Sequence, residues 1–289
     1  MRIRKAVLPV AGLGTRVLPA SKVIPKEMLP LVDKPTLQYI VEEAVAAGVE
    51  EIIFVTSRSK RSIEDHFDVF PELELVLEQK GKLAELEELR HVQKMATYTS
   101  VRQPEPLGLG HAVLCAKELV GDEPFIVMLG DDLVALETPC LPRMIEIHEQ
   151  YAGSVLSLFH SPPETISSFG IVSVEELGPD TVKVIHLVEK PSLEEAPSDL
   201  AVAGRYILTP DIFELLEQTP PGKGGEIQVT DAIEMQAQAG HCYGLRFTGI
   251  RYDTGTPLGL LTTSIAYALK RPDIAPELRV YMREVLREE

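Results

Sequence analysis

The sequence predicts an α/β protein that opens with a parallel β–α–β unit, continues through buried strands flanked by helices, and carries a small antiparallel part in its second half. Three observations predict it. Ala6 to Val10 and Glu51 to Thr56 are short apolar runs, and between them Leu37, Ile40, Val41, Ala44 and Val45 recur at helical spacing. Strand, helix and strand in that order imply a parallel pair with a right-handed crossover. Phe125 to Leu129 (FIVML) and Ser154 to His160 (SVLSLFH) repeat the strand signal further on. Gly170–Val174 and Val182–Glu189 instead alternate around the turn Gly178-Pro179-Asp180, as antiparallel neighbours do.

Taken in order, Ala6 to Val10 is apolar throughout and suits a strand buried on both faces. Pro35 stands near the start of the first helix and Gly48 at its stop. Ser59 to Phe67 reads as a short helix. Glu72 to Met95 reads as one long amphipathic surface helix, because Leu83, Leu86, Leu89 and Val92 lie about a turn apart. Thr97 to Val101 is a third strand. A Pro/Gly loop, Gln103 to Val113, then opens a helix through Cys115 to Leu119. Leu141 to Tyr151 is helical. Leu200 to Leu208 is a strand with a glycine, Gly204, in its middle, which marks a close approach to the backbone. Asp211 to Gln218 is a helix, Gly222 to Ile233 a flexible loop leading into another, and Cys242 to Thr248 a strand. Two helices close the chain from Leu258, separated near Arg271-Pro272.

At 289 residues the chain can bury a full α/β core, and no linker or repeat marks a boundary, so 1–289 is expected to be one domain. Segment 257–289 is available for an oligomer contact, as is the charged stretch from Glu72 to Met95. The net charge of −16 argues against wide contacts with nucleic acid. No run approaches the ~20 apolar residues that span a bilayer, so no membrane partner is expected. Cys115, Cys140 and Cys242 are scattered and suit buried thiols in a reducing compartment. A cytoplasmic location follows as an expectation.

The chemistry concentrates in Leu8 to Pro30, LPVAGLGTRVLPASKVIPKEMLP. Gly12 and Gly14 let backbone amides approach a bound anion. Arg16, Lys22 and Lys26 follow with charge, and in so acidic a protein such a cluster points to phosphate. Asp131 and Asp132 come directly after the most strand-like run, where parallel sheets gather ligands. Carboxylates there suit a hard cation, which takes one or two of them alongside substrate phosphates. Asp253 sits at the mouth of a second glycine turn, YDTG. Other nucleotide motifs are absent: no Gly-Lys-Ser/Thr occurs, and Val17 stands where a dinucleotide fingerprint needs its third glycine. The seven histidines show no metal-ligand spacing, and no Gly-x-Ser-x-Gly elbow exists.

The ordered segments Leu8–Pro30, PLGLGHAV, the acidic pair, FGIV, VEKP, GRYIL, GEIQVTDAI and YDTG resemble the sugar-1-phosphate nucleotidylyltransferases. The likeness runs from Ala6 to about Gly259 and is nearest to the bacterial branch using UTP and glucose 1-phosphate. It implies a Rossmann-like mixed, mainly parallel sheet flanked by helices, with a small antiparallel sugar-binding part. It also implies Mg²⁺ as cofactor and a homodimer or homotetramer.

By the same resemblance Arg16, Lys26 and Lys190 are the catalytic cations, for the leaving phosphates, the α-phosphate and the sugar phosphate in turn. Asp131 and Asp253 are the metal carboxylates. Ala11, Gly12, Gly14, Glu27, Gln103, Gly108 and Asp132 are expected at the nucleotide, Asp132 at its ribose or else at the sugar. Gly170, Glu189, Lys190 and Gly204 are expected at the sugar. Many uridylyltransferases have Pro-Asp where this chain has Gly130-Asp131-Asp132, which leaves the division of labour between the two aspartates open. Glu27 is expected to read the base, since a carboxylate only accepts and so suits a base bearing N3–H. Strong rejection of CTP and weaker rejection of dTTP would follow, one methyl being worth about 1–3 kcal/mol. The alternatives are a thymidylyltransferase, a uridylyltransferase for another hexose 1-phosphate, and a regulatory paralogue that binds without turnover.

Overall fold

A computed structural model describes residues 2–135 and 137–287, so the extreme ends of the 1–289 domain and of segment 257–289 lie outside the described residues. Nine strands make the central sheet: β1 (Lys5–Pro9), β2 (Glu51–Thr56), β3 (Thr97–Arg102), β4 (Phe125–Met128), β5 (Ser154–His160), β6 (Gly170–Glu176), β7 (Thr181–Glu189), β8 (Leu200–Leu208) and β9 (Cys242–Arg246). Their order is β3-β2-β1-β4-β8-β5-β9-β7-β6, with β6 also touching β8. β1 to β6 and β9 share one direction, while β7 and β8 run against them. The antiparallel part is therefore the far edge of the same sheet and not a separate unit. The insertion of β8 between β4 and β5 joins the two halves.

Side chains alternate across the sheet, as strand geometry requires. On one face Val7, Ile53, Val55, Phe125 and Val127 meet α5 (Leu109–Cys115), α8 (Ile212–Gln218) and α9 (Val229–Gln238). On the other Leu8, Ile52, Phe54, Ile126 and Met128 meet α1 (Thr36–Ala46) and α7 (Leu141–Tyr151). Phe125 stacks on Phe213 of α8 with ring centroids 5.2 Å apart. The core is thus two layers on one sheet, and both faces of β4 and of the middle of β1, Ala6 to Leu8, are buried.

The remaining helices are α2 (Arg61–Phe67), α3 (Pro71–Gln79), α4 (Leu83–Lys94), α6 (Lys117–Val120), α10 (Pro257–Ala268) and α11 (Ala275–Val285). The single helix expected over Glu72 to Met95 is two. Gly81, at φ +66°, takes a left-handed conformation that ends α3, so the chain folds back and α4 lies against it. Only Leu86 and Val92 of the expected stripe are buried. The expected helix through Leu119 likewise divides at Ala116. A two-stranded ribbon pairing Asp132–Val134 with Arg251–Asp253 has no counterpart in the sequence reading. It places the turn after β4 beside the YDTG turn.

Candidate active site

The loops after β1, β2, β3 and β4 gather at the carboxyl edge of the parallel half. Gly14 caps a short 3₁₀ turn at φ +66°, and Ser21 Oγ donates to its carbonyl at 2.7 Å. After β3, Gln103 Nε2 donates to the Gly108 carbonyl at 3.0 Å and lies 3.2 Å from His111 Nδ1. Between these loops is a cleft of about 380 Å³ lined by Ala11, Gly12, Gly14, Gln103, Gly108 and Glu226. Every one of the expected nucleotide residues except Glu27 and Asp132 lines it.

At the inner end of the first loop the charged groups converge. Lys26 Nζ lies 2.5 Å from Asp131 Oδ2, and Arg16 Nη2 lies 3.4 Å from the same oxygen. Burial works to raise the Asp131 carboxyl, yet Lys26 and Arg16 outweigh it and hold it below the usual carboxylate range. Asp253 Oδ1 accepts from Gly255 N at 2.8 Å, and Thr254 N and Oγ1 both donate to the Asp131 carbonyl, at 2.8 and 3.0 Å. A Cβ on Gly255 would lie 2.7 Å from both Asp131 Oδ2 and Arg16 Nη2, and 3.0 Å from Asp253 Oδ1. The two aspartates and the arginine therefore surround one glycine. Lys22 is exposed on the turn before Lys26.

Among the described residues no three or more His, Cys, Asp or Glu gather as a metal cluster. Asp131 and Asp253 supply two hard anionic oxygens to one small space, a donor set that fits Mg²⁺ completed by phosphate oxygens. It does not fit a zinc site, which would need four protein ligands or three with water.

A second cleft of about 210 Å³ is lined by Asp132, Gly170, Glu189, Lys190, Gly204 and Arg251. It adjoins the first, because Leu109 and Glu226 line both. The pairing register of β8 with β5 shifts between Val202 and Tyr206, and Gly204 sits in that irregularity. Freed there, Gly204 N donates to Asp132 Oδ2 at 2.9 Å, and Arg251 Nε donates to the same oxygen at 2.8 Å. Asp132 Oδ1 is buried and has no partner. A hydroxyl donor from a ligand would satisfy it. Asp132 thus stands among the residues expected at the sugar, the second of the two places, ribose or sugar, where it is expected. Arg251 lies over the Phe159 and Phe169 rings at 4.9 and 5.1 Å, which fixes its plane. Lys190 Nζ meets Glu189 Oε1 at 3.1 Å, and Lys190 has φ +46°, a strained conformation for a side-chain-bearing residue at the end of β7.

Glu27 is the most deeply buried of the residues expected at the nucleotide. It is 1% exposed and does not line the cleft; Lys60 Nζ donates to its Oε2 at 2.8 Å, and Lys60 is itself 4% exposed. Burial pushes the Glu27 carboxyl above its ordinary value against the pull of Lys60 and then Lys26. Its Oε2 is engaged by the Lys60 ammonium, while a carboxylate has a second oxygen with acceptor sites of its own. Lys60, Arg251 and Glu226 are the side chains that sequence reasoning missed. Lys60 and Arg251 stand in the sequence like surface cations, and only their distant partners mark them out. Glu226 belongs to a segment quoted for the resemblance without a role.

A profile of the nucleotidyl transferase family matches residues 5–269. The UTP–glucose-1-phosphate uridylyltransferase of Bacillus subtilis (strain 168) is 48% identical over 288 residues, 100% of this chain and 99% of that protein. The UTP-bound UGPase from Acinetobacter baumannii has the same fold, with TM-score 0.91 and 44% identity over 98% of this chain and 99% of that one. A UDP-glucose pyrophosphorylase solved in complex with UDP-glucose has TM-score 0.85 and 44% identity over 93% and 100%.

Proposed function

The chain belongs to the nucleotidyl transferase family, and on that premise we propose that it transfers the uridylyl group of UTP to glucose 1-phosphate, giving UDP-glucose and pyrophosphate. The observation that carries this reading is the near-complete span of likeness to uridylyltransferases, one of them solved with UTP and another with UDP-glucose. Two adjoining clefts, one ringed mainly by backbone and the Gln103 amide, the other by the carboxylates of Asp132 and Glu189 with Lys190 and Arg251, support it.

An oxygen of the sugar phosphate attacks the α-phosphorus in line. The new P–O bond forms as the bond to the β-phosphate oxygen breaks, and pyrophosphate takes the electron pair. No general base is needed, because the sugar phosphate is largely dianionic near neutrality, its second pKa being about 6. The protein has to align two anions and stabilise the leaving charge. The backbone of Ala11, Gly12 and Gly108, with the Gln103 amide, receives the base. Gly14 and Arg16 receive the β- and γ-phosphates. Lys26 exchanges Asp131 for the α-phosphate and stays on it through the transition state. Asp131 and Asp253 would hold Mg²⁺, which when bound neutralises charge on the phosphate oxygens. Lys190 holds the sugar phosphate, while Glu189 and Asp132 accept from the glucose hydroxyls, which lie beside the backbone at Gly170 and Gly204.

The unpaired thiols Cys115, Cys140 and Cys242 suit the cytoplasm, and no helix among the described residues is long and apolar enough to cross a membrane. A homodimer or homotetramer is part of the same proposal. The test is pyrophosphate release with UTP, dTTP and CTP against a panel of sugar phosphates. UTP with glucose 1-phosphate is expected to lead. A higher rate with dTTP would favour a thymidylyltransferase, and bound UDP-glucose without release from any pair would favour a regulatory paralogue.

A further inference from the structure

The turn carrying Lys26 and the turn carrying Asp131 are both wedged against Glu27. Glu27 follows Lys26 directly, and a Cβ on Gly130 would lie 2.8 Å from Glu27 Cγ. Glu27 is in turn tied to Lys60, which caps α2 just after β2 and comes from a third loop of the same edge. Charges alternate along this line: Lys60, Glu27, Lys26, Asp131, Arg16, with contacts of 2.8 Å for the first pair and of 2.5 and 3.4 Å at Asp131. A buried ion pair of this kind adds little stability over apolar residues of the same shape, whereas breaking it leaves an unmatched charge. A site beside the reacting groups is where such a pair is expected to serve geometry.

We infer that Lys60 is a positioning residue for the proposed transfer: its ion pair with Glu27 holds that carboxylate away from Lys26, so that Lys26 reaches toward Asp131 and the α-phosphate. Without Lys60, Glu27 is a buried anion whose nearest cation is its neighbour Lys26. Lys26 is then drawn back from the substrate. Without Glu27, Lys60 is a buried cation that repels Lys26. Removing both charges restores the reach of Lys26. The inference rests on the uridylyl-transfer reading above.

The experiment measures kcat and KM for glucose 1-phosphate, with melting temperatures, in the wild type, Lys60→Met, Glu27→Gln and the double variant. Each single variant should lose about 10–100-fold in kcat, the usual effect of removing a group that orients a working one. KM for glucose 1-phosphate, bound on the Lys190 side, should not move. The double variant should regain most of the lost rate. An active wild type with Lys60→Met at wild-type kcat overturns the inference alone, as does a double variant no faster than the singles. If both singles fail to fold while the double works at the wild-type rate, the pair serves stability only and the inference also falls. A wild type that makes no UDP-glucose overturns the reading on which it rests.

Discussion

At the scale of single residues, the site works by charge set against charge in a confined place. Lys26 is expected to act on the transition state, so Lys26→Ala should lower kcat by about 10²–10³-fold, the size of effect seen when one preorganised donor is removed. The fold should be retained, since Lys26 contributes no core contact; unchanged kcat with an unchanged melting curve would reject the role. Gly255 tests the carboxylates without replacing either of them. Its missing Cβ leaves the space where Asp131, Asp253 and Arg16 meet. Gly255→Ala should therefore push Asp131 and Asp253 apart and weaken Mg²⁺ activation about 10–100-fold. A metal titration midpoint that does not move would show that these two carboxylates are not the ligands. Lys190 and Gly204 show the same economy of means in the second cleft, one through a strained backbone and the other through a bulge.

At the scale of elements, long-range ion pairs fasten the helices to the sheet. Arg205 of β8, fully buried, holds Glu43 of α1 with Nη2 to Oε2 at 2.7 Å and Nε to Oε1 at 3.1 Å, and its Nη1 donates to the Gly204 carbonyl. That anchors the backbone on which Asp132 depends. Arg143 of α7 grips Asp180, in the β6–β7 turn, through two bonds of 2.9 Å. These hydrogen bonds from Arg143, with one from Thr181, hold the Asp180 carboxyl down to about 2. A depressed carboxyl adds stability above its unfolded value, near 3.9, and loses it as pH falls through the folded one. Both side chains are more than a third exposed, so Asp180→Asn should cost below about 1 kcal/mol at neutral pH. The difference from wild type should close between pH 4 and 2. A difference that persists at pH 2 would mean that the turn, and not the ion pair, was disturbed.

At the scale of the whole molecule, α11 has no buried residue, and Val280, Tyr281 and Val285 on it and Leu286 just after it are exposed. The proposed oligomer would cover such a face, so light scattering should report a dimer or tetramer, with Tyr281→Asp shifted toward the monomer; a wild-type monomer would remove the proposal. The sequence by itself determined the α/β class, the strands β1, β2, β4, β5 and β8, and the loops that line the first cleft. Apolar period and glycine placement are local properties, and local properties survive in a string of letters. It also brought forward Arg16 and Lys26, because cations gathered in one loop of an acidic chain stand out, and Asp131, because it follows a buried strand; Asp253 came forward as a metal carboxylate through the family resemblance. Only the tertiary structure decided that β8 runs backward between β4 and β5, that Gly81 folds Glu72 to Met95 into two helices, and that Asp132 is held by Gly204 and Arg251. It alone showed the partner of Glu27 as well: that carboxylate is buried on Lys60, 33 positions away in sequence. The physical reason is common to all of these. Burial and pairing are set by what the fold brings alongside a residue, and a charge in the sequence does not say whether water, substrate or another charge will meet it.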